Sequence, residues 1–249
     1  MPAESDFLLV IPAFGEQDRL PPFLEGLIEA LAGMPFNTTV QIVEDGPSAG
    51  ARNSLQDALA SISGKGSVAL SPLLCHATRM GKGLAIRTGW AVPSTAHWLA
   101  FVDADGAISP AEVQRVFAQI HETHGEACWM AVRTNRNGHL LQRRWPRNAA
   151  SRFFISSINV LFQTHFSDTQ CGLKILSRSA WNKISSRCVE NGFCFDVELL
   201  IRLRQVRAAI RELEIDWAEK PGGHFRPVLD GARVFWRAVR LRFAVLLGR

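Results

Sequence analysis

Short apolar runs of strand length recur through the first hundred residues: FLLVIP (7–12), TTVQIVE (38–44), SVAL (67–70) and HWLAFV (97–102). Between them stand segments whose apolar residues return every three or four positions. These are DRLPPFLEGLIEALAG (18–33), which stops at Gly33, then ARNSLQDALASI (51–62) and GKGLAIRTGWAV (81–92), a loop leading into a helix. Strands that are apolar all along must be covered on both faces, and strands that alternate with helices run mostly parallel. The pattern therefore predicts an α/β fold with a mostly parallel central sheet flanked by helices. The second half is less regular: helices over 110–123, 151–166 and 196–206, and a strand at ACWMAV (127–132). No internal repeat or low-complexity linker divides the 249 residues, so one domain is expected.

Charge is distributed unevenly. Residues 201–249 hold eleven of the 28 Lys and Arg but only five of the 23 Asp and Glu. The last stretch, GARVFWRAVRLRFAVLLGR (231–249), sets Arg233, Arg237 and Arg240 at helical spacing. Val234, Ala238, Leu241 and Val245 form a second stripe, with Phe235, Trp236 and Phe243 nearby. A basic amphipathic helix of this kind suits an anionic membrane surface; the plainer alternative is a terminal helix packed on the domain with its arginines in water. MPAESDF has no basic stretch leading into an apolar one, and no run approaches the roughly 18 apolar residues of a membrane span. The expectation is a cytoplasmic protein held peripherally at the cytoplasmic face of a membrane. The five cysteines, an odd number without a CxxC pair, read as reduced thiols rather than a disulfide framework or a zinc site. Although the pI is about 9.3, the positive charge sits at an apolar terminus without basic-aromatic interleaving, which argues against nucleic acid as a partner. Nothing in the pattern specifies an oligomer.

Ligands of parallel sheets bind outside the carboxyl ends of the strands. Three such ends carry polar or turn-forming residues: Pro12 to Glu16, Glu44-Asp45-Gly46, and Asp103-Ala104-Asp105-Gly106. In extended backbone, residues i and i+2 point the same way, so Asp103 and Asp105 can converge. Two neighbouring carboxylates ionise together at low cost only with a cation between them, and a hard divalent ion shares its shell with substrate phosphates. DADG thus reads as a metal-diphosphate site, against the alternative that Asp105 merely caps the helix starting near Ser109 and Pro110. Asp45 can accept from a base edge or serve a turn, and Lys82 can approach an anion or sit solvated between its glycines. Arg133 and Arg147 flank an acid-free, arginine-rich loop able to close over phosphates or simply to lie on the surface.

VIPAFGE (10–16), VEDGPSAG (43–50), GKGLAIRTG (81–89), DADGAISP (103–110), DTQCGLKILSR (168–178) and FDVELL (195–200) occur in the order found in family 2 glycosyltransferases. DTQCGLK with FDVELL, followed by W-x3-PGG-H (217–224), resembles the dolichyl-phosphate β-glucosyltransferase branch, with the related mannosyltransferases next. The resemblance spans about residues 7–247. It implies a GT-A fold and an inverting, metal-assisted transfer of a hexose, glucose from UDP-glucose, to a polyprenyl or dolichyl phosphate. The alternatives are a GDP-mannose-dependent mannosyltransferase and a catalytically silent nucleotide-sugar-binding protein. By motif position it implies that Asp45 contacts the base, Asp103 the nucleotide, and Asp103 with Asp105 a Mg2+ or Mn2+ ion. Pro12, Glu16 and Lys82 belong to the same donor site. Arg133, Arg147 and Ser151, one helical turn beyond Arg147, would hold phosphates, Lys174 would meet the lipid phosphate, and Asp196 and Glu198 take the place of an acidic base. His224 stands where relatives place a lysine, as a diphosphate contact, and Phe14-Gly15 replaces the family's usual Tyr-Asn.

Overall fold

The computed structural model describes residues 6–46, 49–123, 127–134, 145–218, 220 and 227–247. Side chains are described for these apart from residues 49–53, 134, 145–150 and 227–229.

The predicted strands form, and they are joined by others the periodicity did not reveal. β1 (Phe7–Ala13), β2 (Thr38–Glu44), β3 (Val68–Leu70), β4 (Leu74–Cys75), β5 (Trp98–Val102), β6 (Ala127–Thr134), β7 (Leu173–Ser177) and β8 (Ala209–Asp216) make one sheet. Its order is β3-β2-β1-β5-β7-β6-β8, with β4 also on β2. All pairings are parallel except those of β7, which runs antiparallel to both β5 and β6. That reversal sets the DTQCGLK segment leading into β7 beside the carboxyl end of β5, where Asp103 stands; Leu173 pairs with Val102.

Helices cover both faces. α1 (Leu20–Leu31) begins on Pro21 and Pro22, whose fixed φ suits a first turn, and buries Leu20, Phe23, Leu24, Leu27, Ile28 and Leu31 at helical spacing. It packs with α4 (Pro110–His121) over one face of the sheet. Truncating one such leucine to alanine removes about 2–5 kcal/mol. α2 (Ala49–Leu59) follows β2 in the chain. α3 (Lys82–Trp90), α6 (Arg178–Ile184) and α7 (Phe195–Gln205) contribute to the core on the opposite face, where Ala85, Ile86, Trp90, Trp181, Phe195 and Leu199 meet Leu8, Val10 and Phe101. Ser109 caps α4 by accepting from the Glu112 N–H at 3.2 Å. Asp105 is thereby released from capping the helix.

α5 (Trp145–Phe162) and α8 (Pro227–Leu246) pack on each other and on α7 around Ile158, Phe162, Val197, Ile201, Val234, Ala238 and Leu241. The stripe assigned above to a membrane surface, Val234, Ala238 and Leu241 with partly buried Val245, is therefore an internal packing seam. Its apolar area is already removed from water by the domain itself. Among the described residues, no helix is long and apolar enough to cross a membrane.

Candidate active site

The carboxyl ends of β1, β2 and β5 open into one cleft of about 230 Å³. Pro12, Phe14, Glu16, Asp45, Lys82, Asp103 and Asp105 all line it, so the sheet gathers the three polar strand ends as expected. Arg19, Arg79, Phe193, Trp217 and Lys220 complete the wall. Four acids and four bases thus face one space, an arrangement suited to a ligand carrying both hydroxyls and phosphates.

At its floor lies a chain of alternating charges. Lys82 Nζ stands 2.8 Å from Asp103 Oδ1 and 3.3 Å from Asp196 Oδ2. Asp196 in turn receives Lys174 Nζ at 2.6 Å on its other oxygen. Burial by itself would lower the Lys82 pKa, but the two carboxylates overturn that effect and hold its ammonium above the usual range. Burial also raises Asp103; Lys82 pulls it back, and the nearby charges of Asp105 and Asp196 push it up. The cation beside Asp103 is therefore a lysine, and the two acids of DADG are not equivalent. Asp105 turns one oxygen to its own loop, accepting from the Ala107 N–H at 3.0 Å.

Backbone geometry explains why Lys82 lies between glycines. A Cβ on Gly81 would stand 2.4 Å from the Asn191 carbonyl oxygen, and one on Gly83 would stand 2.5 Å from that of Glu190. The 190–192 segment passes too close for any side chain there. Glu198 holds that segment: it is fully buried, and Oε2 accepts from the Val189 and Glu190 N–H groups at 2.9 and 2.7 Å. Burial raises its pKa, with those two hydrogen bonds opposing. It does not line the cleft. The structure thus corrects the catalytic expectation for Glu198, which supports the loop bearing Gly192 and Phe193.

Lys174 requires the same correction. It is fully buried on β7, its ammonium donates to Asp196 and to the Cys171 carbonyl at 2.9 Å, and it is not among the residues that line the cleft. Arg133 lies one layer back as well. Its Nε and Nη2 donate to the two oxygens of Asp168 at 2.5 and 2.8 Å, and its guanidinium sits 5.6 Å from the ring of the cleft residue Trp217. Burial would raise Asp168, but Arg133 holds the carboxyl below its ordinary value. Ser151, half-buried on α5, is not part of the cleft wall. His224 and the side chain of Arg147 lie outside the described residues.

The motif DTQCGLK is therefore scaffolding behind the site. Asp168 fixes Arg133, Lys174 fixes Asp196, and Gly172 accepts from the Asp103 N–H at 2.9 Å while leaving room for its carboxylate. A Cβ on Gly172 would fall 2.2 Å from Asp103 Oδ2.

Residues 8–185 match the pattern of glycosyl transferase family 2, which is more than half of the chain. The chain belongs to this family. Among curated relatives, the dolichyl-phosphate beta-glucosyltransferase of Dictyostelium discoideum is 27% identical over 96% of this chain and 75% of its own length. The enzyme of the same name from Saccharomyces cerevisiae is 30% identical over 68% of this chain and 53% of its own length. Among solved structures, the glucosyl-3-phosphoglycerate synthase of Mycobacterium tuberculosis, crystallised with Mn2+, UDP and phosphoglyceric acid, superposes with a TM-score of 0.62. It is 16% identical and covers 98% of this chain and 78% of its own, a likeness that shows a shared GT-A fold. This family 2 protein is accordingly a hexosyltransferase on a GT-A scaffold.

Residues in and behind the wall of this glycosyltransferase also carried no motif signal. Arg79 stacks its guanidinium 3.8 Å from the centre of the Phe14 ring, so the phenylalanine that replaces the family's usual tyrosine keeps an aromatic face in the cleft. His76 bridges Asp45 and Thr88, with Nδ1 and Nε2 each at 3.0 Å from its partner. Asp45 also accepts from the Met80 and Gly81 N–H groups at 2.8 and 2.7 Å, which clips the 76–81 segment to the end of β2. The spacing between 45 and 76–81 carries no local period, so only the closed fold reveals the clip.

The donor set fits a hard divalent ion. Asp103 and Asp105 are neighbours in the cleft wall, no group of three potential protein ligands forms among the described residues, and Mg2+ commonly takes one or two carboxylates and completes its shell from phosphates. The pair with Lys82 does not close off Asp103, whose side chain is 37% exposed.

Proposed function

We propose that this protein is an inverting glucosyltransferase that moves glucose from UDP-glucose to a polyprenyl phosphate of the dolichyl type. The observation that carries the chemistry is the Asp103–Lys82–Asp196 array at the carboxyl end of β5, with Asp105 open beside it. The names of the curated relatives support the substrates.

A phosphate monoester is ionised at neutral pH, so its oxygen attacks the anomeric carbon without a strong base, and the bond from that carbon to the diphosphate breaks with inversion. The residues need to align the two reactants and balance the charge that grows on the departing UDP. Asp105, with Asp103, would hold Mg2+ or Mn2+, which when bound supplies neutralising charge to the diphosphate. Pro12 and Glu16 bound the nucleotide pocket and Asp45 faces the base. Lys82, held by Asp196, sets a fixed positive charge next to the reacting phosphates. Asp196 acts here as a positioning residue for two lysines. By motif position, Arg147 and His224 are proposed as further phosphate contacts.

A donor screen tests this reading: polyprenyl phosphate with Mn2+, and UDP-glucose compared with GDP-mannose. Glucosyl transfer is expected, abolished in Asp105→Ala with the fold retained. Preference for GDP-mannose assigns the mannosyl activity instead, absence of turnover with both donors assigns a silent binding protein, and full turnover of Asp105→Ala with saturating metal refutes the metal role.

A further inference from the structure

With one stripe of α8 buried, the opposite stripe faces solvent. Arg233, Trp236, Arg237, Arg240 and Phe243 recur every three or four residues, Leu247 follows just past the helix end, and all are exposed. Trp236 is 66%, Phe243 61% and Leu247 70% exposed, although Trp and Phe lose most by standing in water. The same stripe holds three arginines, and the acid of this helix, Asp230, lies near its start and pairs with Arg233 at 3.4 Å. Large apolar side chains interleaved with cations match the boundary between lipid headgroups and acyl chains, where the rings enter the apolar layer and the guanidinium groups meet phosphates.

We propose that this outer stripe of α8 docks the protein on an anionic bilayer. This differs in its residues from the Val234–Ala238–Leu241 stripe that the sequence pattern suggested, and it rests on the reading above that the acceptor is a membrane lipid. The stripe is coupled to the active site. Arg237 donates to Glu190 at 2.9 Å, and Glu190 lies two residues before Gly192 and three before Phe193, both part of the cleft wall. Val189, in the same segment, is 67% exposed. Docking through α8 therefore brings the 189–193 edge of the cleft to the lipid surface, from which a prenyl phosphate headgroup enters with its chain still in the bilayer.

The test is co-sedimentation of the full chain with vesicles of phosphatidylglycerol and phosphatidylcholine, compared with phosphatidylcholine alone, at low and high salt. Two variants are compared: Trp236→Ser with Phe243→Ser, and Arg233→Glu with Arg240→Glu. Wild type is expected to sediment with the anionic vesicles and to be released by salt. Each double variant should bind at least about tenfold more weakly, with unchanged thermal unfolding and unchanged turnover on a short, water-soluble prenyl phosphate. Wild type left in the supernatant, equal binding to neutral vesicles, or variants that bind like wild type would each overturn the proposal. So would a dimer that the Trp236/Phe243 variant dissociates while vesicles are ignored, which would assign the face to a second copy. If the vesicle pattern holds and no prenyl phosphate is glucosylated, the docking stands and the substrate reading fails.

Discussion

Lys174 and Asp196 form an ion pair at 2.6 Å in which neither side chain has meaningful contact with solvent, at 0% and 1% exposure. Asp196 uses its second oxygen on Lys82, so the pair links the interior of β7 to the floor of the cleft. Lys174→Met should destabilise the fold by about 1.5–3 kcal/mol in urea unfolding, because buried Asp196 loses its closer cation and keeps only Lys82 at 3.3 Å. The double substitution Lys174→Met with Asp196→Leu should cost less than the sum of the two single changes. Additive losses would show that the pair is not energetically coupled.

Gly172→Ala should act on catalysis through Asp103. The new methyl would occupy the position of the Asp103 carboxylate, 2.2 Å from Oδ2. Displacement of about 1 Å at a reacting centre lowers turnover on the order of 100-fold. Weaker Mn2+ binding by the same variant, measured by titration, would tie the effect to Asp103; normal metal binding and turnover would exclude it.

Acid sensitivity is expected from Asp168. Arg133 holds its folded pKa below the ordinary value, so the pair contributes stability above the unfolded pKa of about 3.9 and loses it as pH falls through the lower folded value. Asp168→Asn should flatten the acid limb of the stability curve below about pH 4. At neutral pH it should lose about 3–5 kcal/mol, since Arg133 is left buried without its partner. An acid limb as steep as that of wild type would contradict this assignment.

His76→Ala removes one donor from Asp45 and the bond to Thr88. The expected outcome is an increase of roughly tenfold in the KM for the nucleotide sugar with kcat little changed, equivalent to about 1–1.5 kcal/mol for one lost hydrogen bond. Donor titration checks it; a fall in kcat alone would place His76 in the chemistry rather than in support of Asp45.

Much of the fold was legible in the chain. β1, β2, β3, β5 and β6 appeared as short apolar runs, and α1, α3, α4 and α7 as periodic ones, because burial on both faces or one face leaves its period in the residues. β7 left no such trace. LKILS carries a lysine at its second position, which reads as a solvated position until Asp196 is brought against it. β8, an edge strand with alternating exposed charges in AIRELEID, was equally silent.

The sequence by itself determined that strand ends bearing Asp45, Asp103 and Asp105 would share one cleft, since a parallel sheet aligns its carboxyl ends whatever else surrounds it. It also determined the family, because motif order survives where overall identity does not. Only the tertiary structure decided which charges face that cleft and which stand behind it. Lys174, Glu198 and Arg133 have the residue types of a catalytic set, yet each is turned inward to a partner many positions away. The same holds for α8: its two stripes are both apolar in part, and contact with α5 and α7 selects which one leaves water. A charge or an apolar group is defined in the chain by its chemistry, but its role follows from its partner, and partners distant in sequence meet only when the sheet closes.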